Sequence, residues 1–197
     1  MVRAEDLAMN VTVGSTGYAT AYLPVDVALP ENNELEGYIV TEANNARAKM
    51  TQVDYIKAHQ GVILKGTAKA YTLAAGEGTA DFTDNKLRGT IFDTNIADES
   101  YVLANGASGV AFYIVERDQA GNTFRNNAHK AYLPVSALTT GEGDSRCLTF
   151  DFGGTETGIE NIEGAEGADA VIYDLSGRRV QNAQKGIYIV NGKKIIR

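Results

Sequence analysis

GYIVTEANNARAKMTQVD, Gly37–Asp54, is the stretch on which the fold of this chain turns. Gly37–Glu42 is built on the short apolar run Tyr38-Ile39-Val40, Ala46–Met50 alternates apolar and polar residues, and Asn44-Asn45 stands between them. Alternation at period two suits a strand with one face inward, and Asn tolerates the positive φ of a tight turn. The stretch therefore predicts an antiparallel hairpin, and its neighbours repeat the pattern.

Working outward, Tyr18–Val27 reads as a strand region, and Gly61–Lys65 with Ala70–Leu73 as a second hairpin. Towards the C-terminus come Lys86–Asp93, then Tyr101–Leu103 and Val110–Glu116 around Asn105-Gly106, then Lys130–Val135 and Arg146–Phe152. Only Ile96–Glu99 and Val135–Thr139 suggest helix, one turn each. A strand in every segment of about 10 to 15 residues, with turn chemistry between, predicts an all-β fold: an antiparallel β-sandwich or barrel-like domain over residues 1–152.

Tyr-Leu-Pro-Val occurs twice, at Tyr22–Val25 and Tyr132–Val135, and uses two of the three prolines. Proline has no amide to donate, so both copies should mark strands that end or bend.

Charge divides the chain. The total is −7, yet residues 170–197 hold six bases and the single acid Asp174, a local +5, leaving −12 on residues 1–169. Phosphate contacts need clustered Lys and Arg, so the acidic body argues against nucleic-acid binding. Cys147 is the only cysteine, which excludes an intramolecular disulfide and an all-cysteine zinc site. No run approaches the roughly 20 apolar residues of a membrane helix. Met1–Asn10 lacks the apolar core of a signal peptide, so an exported protein would here be in its form after leader removal.

Residues 153–169 contain five acids, no base and five glycines, the composition of a linker. Beyond it, Val171, Tyr173 and Leu175 alternate, Ser176-Gly177 turns the chain, and Gly186–Val190 with Lys193–Ile196 predicts a hairpin around Asn191-Gly192. A lone hairpin is marginal in water, so this short basic segment is expected to pack, with the acidic body as a favourable place to dock.

The segment resembles the C-terminal sorting domain of the type IX (Por) secretion system. Gly177, Arg178 and Val180 match that family's Gly-Arg-Val element, Gly186, Ile187 and Tyr188 its Gly-Ile-Tyr element, and Lys193 and Lys194 its basic terminal strand. The match covers residues 170–197 and is abbreviated, without the family's Asn-Pro opening. Gly17–Pro24, Ala58–Gly66, Gly109–Tyr113 and Lys130–Pro134 are also similar to β-rich modules that precede such tails in surface proteins of Gram-negative anaerobes. The resemblance implies a secreted or cell-surface protein of a Gram-negative bacterium, with the secretion machinery as a partner and no catalytic residue carried over.

Enzyme chemistry finds little footing. His59 and His129 are the only histidines, and Cys147 would need one beside it to act as a nucleophile, whereas its run Cys147–Phe152 suits packing. Asp81 with Asp84, or Asp98 with Glu99, would serve hydrolysis only at a suitable spacing across strands, and loop acids are ordinarily solvated. Asp93–Glu99 supplies oxygen donors but lacks the spacing and turn glycine of a calcium loop. The expectation is a noncatalytic module with neither metal nor cofactor. The alternative is a glycan-binding or adhesive surface module, since a tyrosine offers a flat ring with a polar tip. Tyr22, Tyr38, Tyr71, Tyr101 and Tyr113 fall in strand patterns that suit a core, leaving Tyr18, Tyr55 and Tyr188 as the candidate ligand-facing rings. A protein could instead add a strand to an open sheet edge.

Overall fold

A computed structural model of the chain describes residues 8–44, 46–115, 121, 123–139 and 146–153, and the strands 172–174, 179–180, 187–190 and 193–196. There are two compact units, Met1–Gly153 and Gly154–Arg197.

The first unit is all-β. Its strands are β1 (Ala8–Thr12), β2 (Tyr18–Tyr22), β3 (Val27–Ala28), β4 (Leu35–Ala43), β5 (Arg47–Val53), β6 (Tyr55–Ile56), β7 (Gly61–Gly66) and β8 (Ala70–Ala74). They continue with β9 (Arg88–Thr90), β10 (Thr94–Ile96), β11 (Ser100–Gly106), β12 (Gly109–Val115), β13 (Phe124–Asn126), β14 (Lys130–Pro134) and β15 (Cys147–Asp151). Val135–Ala137 is a 3-10 turn. Ile96, expected in a helical turn, instead ends β10. Among the described residues no helix is long and apolar enough to cross a membrane.

The Gly37–Asp54 hairpin forms as β4–β5, in register from Gly37 opposite Val53 to Ala43 opposite Ala48, with a bulge between Val40 and Glu42. Asn44 ties its turn: its Oδ1 accepts the amides of Ala46 (3.2 Å) and Arg47 (3.0 Å). Asn45 lies outside the described residues. The second hairpin does not form. β7 enters between β2 and β4 and pairs with both, while β8 pairs with β1. With both edges of β7 taken, the chain must leave the sheet at Thr67. The Tyr71 hydroxyl fixes that exit, lying 3.0 Å from the carbonyl oxygens of Thr67 and Glu34. β11–β12 turns two residues later than Asn105-Gly106, with Gly106 opposite Gly109. There the Tyr113 hydroxyl donates to Gly109 O (2.9 Å) and accepts the Ser108 amide (3.0 Å).

Nine strands make one sheet in the order β2-β7-β4-β5-β15-β12-β11-β14-β9. Every pairing in it is antiparallel except β5 with β15, which departs from a purely antiparallel sheet. β15 reaches β5 only after the long excursion through β14, so no tight turn dictates its direction. The two ends of the sheet meet. The Tyr22 amide donates to His129 O (3.0 Å), and the Ala131 amide donates to the Thr20 hydroxyl (3.1 Å). Gly89 on β9 lies so close to the Tyr22 side chain that a Cβ there would overlap it, and a Cβ on Gly61 would stand 2.6 Å from that of Leu87. The sheet is thus a nearly closed barrel with a seam between β2 and β14. Both Tyr-Leu-Pro-Val copies end strands at this seam: Pro134 is the last residue of β14, and Pro24 follows just after β2.

Alternation along the strands feeds two cores. Ile63, Tyr38, Val40, Met50, Phe112, Leu133 and Leu148 fill the inside of the barrel. Val62, Leu64, Ile39 and Leu35 face outward but are covered by residues of the β1–β8 and β3–β6 pairs, among them Val11, Leu73, Val27 and Ile56. Both faces of β7 are therefore buried, which is why its sequence, GVILKG, does not alternate in polarity.

In the second unit β16 (Ile172–Asp174), β17 (Arg179–Val180), β18 (Ile187–Val190) and β19 (Lys193–Ile196) form an antiparallel sheet in the order β17-β16-β18-β19. The expected hairpin is β18–β19, from Ile187 opposite Ile196 to Val190 opposite Lys193. Four strands suit independent stability far better than the single hairpin foreseen.

The seam makes a direct prediction. Gly89→Ala should destabilise the barrel by about 1 to 3 kcal/mol through overpacking against Tyr22. Urea unfolding of the two proteins measures it, and an unchanged midpoint would mean the seam is not closed.

Candidate functional site

Register places three side chains in a row on the barrel's inward face. Tyr18 of β2 stands opposite Lys65 of β7, and Lys65 stands opposite Glu36 of β4. They lie at the strand ends, where the interior opens as a mouth. Lys65 Nζ is 3.2 Å from Glu36 Oε2, and the Tyr38 hydroxyl donates to the same oxygen at 3.0 Å.

The far wall comes from β15 and the residue after it. Rings follow one another with centroids 5.5 Å apart from Tyr18 to Phe150, 6.1 Å from Phe150 to Phe152, and 4.9 Å from Phe152 to Tyr38. Lys65 Nζ sits over the Phe152 ring, 5.4 Å from its centroid. Phe152 is 41% exposed, unusual for a large apolar side chain at the edge of a core. Beside Tyr18 is a shallow cleft of about 450 Å³ lined by Asn33, Glu34, Glu36, Lys65 and Thr67. A second ion pair, Lys69 with Glu34 at 3.0 Å, borders it. Burial, then the hydrogen bond to Glu36 and that residue's negative charge, push the Tyr38 hydroxyl up to about 12.

Of the three candidate rings, Tyr18 is half-buried and belongs to this mouth. Tyr55 does not face a ligand. β6 pairs with β3, which lays the Tyr55 ring into the outer core, 7% exposed and edge-on to Phe82 at 5.2 Å. Tyr188 is on β18, and its side chain lies outside the described residues, as do Gly177, Arg178 and Gly186 entirely. Val180 is on β17, Ile187 on β18, and Lys193 and Lys194 on β19.

Asp81, Asp93 and His129 have structural duties. Asp81 accepts the hydroxyl and the amide of Thr83 (2.6 and 2.9 Å), which hold its carboxyl below the usual range. Asp93 accepts the Ala128 amide and Arg125 Nη2, both at 2.8 Å, bracing the β10–β13 pair. Those two donors lower its pKa, so the Asp93–Glu99 stretch starts with an engaged carboxylate. The His129 ring Nδ1 lies 3.3 Å from Tyr22 O at the seam. Cys147 is on β15 opposite Tyr113. Among the described residues no three His, Cys, Asp or Glu side chains gather as a metal group.

Sequence reasoning missed Glu36, Lys65 and Phe152, which join Tyr18 only through long-range register. It also missed Phe92, 78% exposed between β9 and β10. Comparison with protein-family models, curated proteins and solved structures finds no match. The fold and site define a class alone: an all-β barrel-like domain with an aromatic mouth.

The Tyr38 shift predicts a pH dependence. An unfolded tyrosine ionises near its ordinary 10.0, while the folded one does so at about 12. The neutral hydroxyl's contribution is complete below pH 10 and is lost as pH rises through 12. Unfolding free energy should therefore fall less steeply between those values in Tyr38→Phe than in the parent. Burial also raises Tyr55 and Tyr132 and leaves a residual slope in both proteins. Parallel curves would contradict the assignment.

Proposed function

We propose that this protein is a noncatalytic accessory or structural module of the cell exterior, delivered to the surface of a Gram-negative bacterium by its C-terminal segment. The observation that carries this reading is the separation of the chain into a barrel and a distinct four-stranded unit, whose strands all fall within the basic residues 170–197. Strands β17, β18 and β19 of that unit fall on the elements that resemble the type IX sorting signal. On this reading the secretion machinery contacts the tail, and the barrel is the cargo. The noncatalytic part is supported by the duties of Asp81, Asp93 and His129, which hold a turn, the β10–β13 brace and the seam.

Deletion of residues 170–197 tests the export role in a host that has the secretion system and expresses the precursor with its leader. The truncated protein should remain in the periplasm, with the circular dichroism of the purified barrel showing that it still folds. Surface delivery equal to the parent's would overturn the reading.

A further inference from the structure

We propose that the barrel seam holds a docking slot for an extended acidic segment of a partner protein, which lies between β2 and β11 and adds a strand there. The inference goes beyond the export reading and does not rest on it.

The slot comes from a ladder that splits. β11 pairs with β14 at Ser100 opposite Pro134 and Tyr101 opposite Leu133, and stops. Continued, that ladder would put Leu103 opposite Ala131. The Ala131 amide instead donates to the Thr20 hydroxyl of β2 (3.1 Å), so the head of β14 has crossed from β11 to β2. Tyr18, Thr20, Val102, Leu103, Lys130 and Ala131 all line one cleft at this divergence, of about 460 Å³ and separate from the one at the mouth.

Backbone groups face the cleft from both sides. The Val135 amide donates to Glu99 O (2.8 Å), so the odd-numbered residues of β11 turn their N–H and C=O towards the β14 side. Leu103 does the same, beyond the point where β14 leaves. On β2 the odd positions serve β7, as in the bond from the Gly66 amide to Gly17 O (2.9 Å), and the even positions face the seam, as in the bond from the Tyr22 amide to His129 O (3.0 Å). Thr20 therefore turns its backbone into the cleft, and the only ladder β2 has is with β7. Thr20 is 8% exposed, and poorly hydrated backbone groups gain most from a new partner. An added peptide strand takes affinity from such main-chain bonds and selectivity from its alternate side chains. Tyr18–Thr20 and Val102–Leu103 leave room for about three residues of extended chain.

The lining sets the chemistry of the occupant. Tyr18 packs against the inner core, and Leu103 shares the inward face of β11 with Tyr101, so inward side chains of the peptide meet apolar groups. Lys130 lies on the opposite face of β14 from Leu133 and belongs to none of the ion pairs among the described residues. The lining holds Lys130 and Arg125 but no Asp or Glu, whereas residues 1–169 together carry −12. A basic spot on an acidic body fits a strand that alternates apolar and acidic residues. A second copy of the chain fits less well, since each carries −7 and the two repel.

The experiment is a nuclear magnetic resonance titration of the full chain with three capped peptides: Ser-Val-Glu-Val-Glu-Val-Ser, its counterpart with Lys in place of both Glu, and the acidic peptide N-methylated at its valines. The acidic peptide should bind with a millimolar or tighter Kd and shift Thr20, Leu103 and Lys130, while the other two bind about tenfold more weakly. Lys130→Gln should weaken the acidic peptide about threefold, and Lys49→Gln, on β5, should leave it unchanged. Lys130 is partly exposed, so its variant should keep the parent spectrum elsewhere. The proposal is overturned if the acidic peptide shifts no cleft residue, if the basic or the N-methylated peptide binds as tightly, or if Lys130→Gln binds as the parent does. Movement of the Thr20 and Leu103 signals with protein concentration alone would assign the slot to a second copy and overturn it too. None of these readings involves the secretion host, so failure here and failure of the export assay are distinguishable.

Discussion

The nine-strand sheet runs from β2 to β9, and its β2 edge comes back against β14 and β9. A β-edge presents unpaired amides and carbonyls, each costly to bury without a partner. At this seam a full ladder is replaced by a backbone bond from the Tyr22 amide to His129 O, a bond from the Ala131 amide to Thr20 Oγ1, and the contact of His129 Nδ1 with Tyr22 O. Glycines make the approach close enough: Gly89 leaves space for Tyr22, and Gly61 for Leu87 and Ala131. His129 adopts φ 60 at the head of β14, a left-handed conformation that the seam contacts hold in place.

Closure explains the rest of the unit. An interior walled by the nearly closed sheet can be filled by Tyr101, Phe112, Leu133 and Leu148, each no more than 2% exposed. Strands whose inner face is satisfied still carry apolar residues on the outer face, and β1–β8 with β3–β6 cover these. Closure also creates ends. At one of them the packed interior gives way to Tyr18, Glu36, Lys65 and Phe152, so the mouth is the place where the core's aromatic character reaches solvent.

Local pattern was enough to reveal much of this in the sequence. The β4–β5 and β18–β19 hairpins, the turn at Val135, the strand ends at the two prolines and the all-β class follow from alternation and turn chemistry within short windows. What escaped was set by partners far along the chain. Gly61–Lys65 and Ala70–Leu73 have the spacing of a hairpin, but β2 and β4 take both edges of the first run. Tyr55 looks unconstrained until β3 lays it over the outer core. Tyr18 could be singled out as a ring outside the strongest core patterns. Its companions Lys65, Glu36 and Phe152 could not, because they become neighbours only when the register of β2, β7, β4 and β15 is known. The turn at Ala107-Ser108 slipped two residues beyond Asn105-Gly106 because the Tyr113 hydroxyl secures the later position.

Amide hydrogen exchange at the seam tests the central claim, that β2 and β14 close the barrel. If they do, the amides of Tyr22 and Ala131 should exchange with protection comparable to the β4–β7 amides in the middle of the sheet, since all would open only with the barrel itself. Exchange at those two amides as fast as in an unprotected chain, with β4–β7 still slow, would show an open sheet and contradict the account.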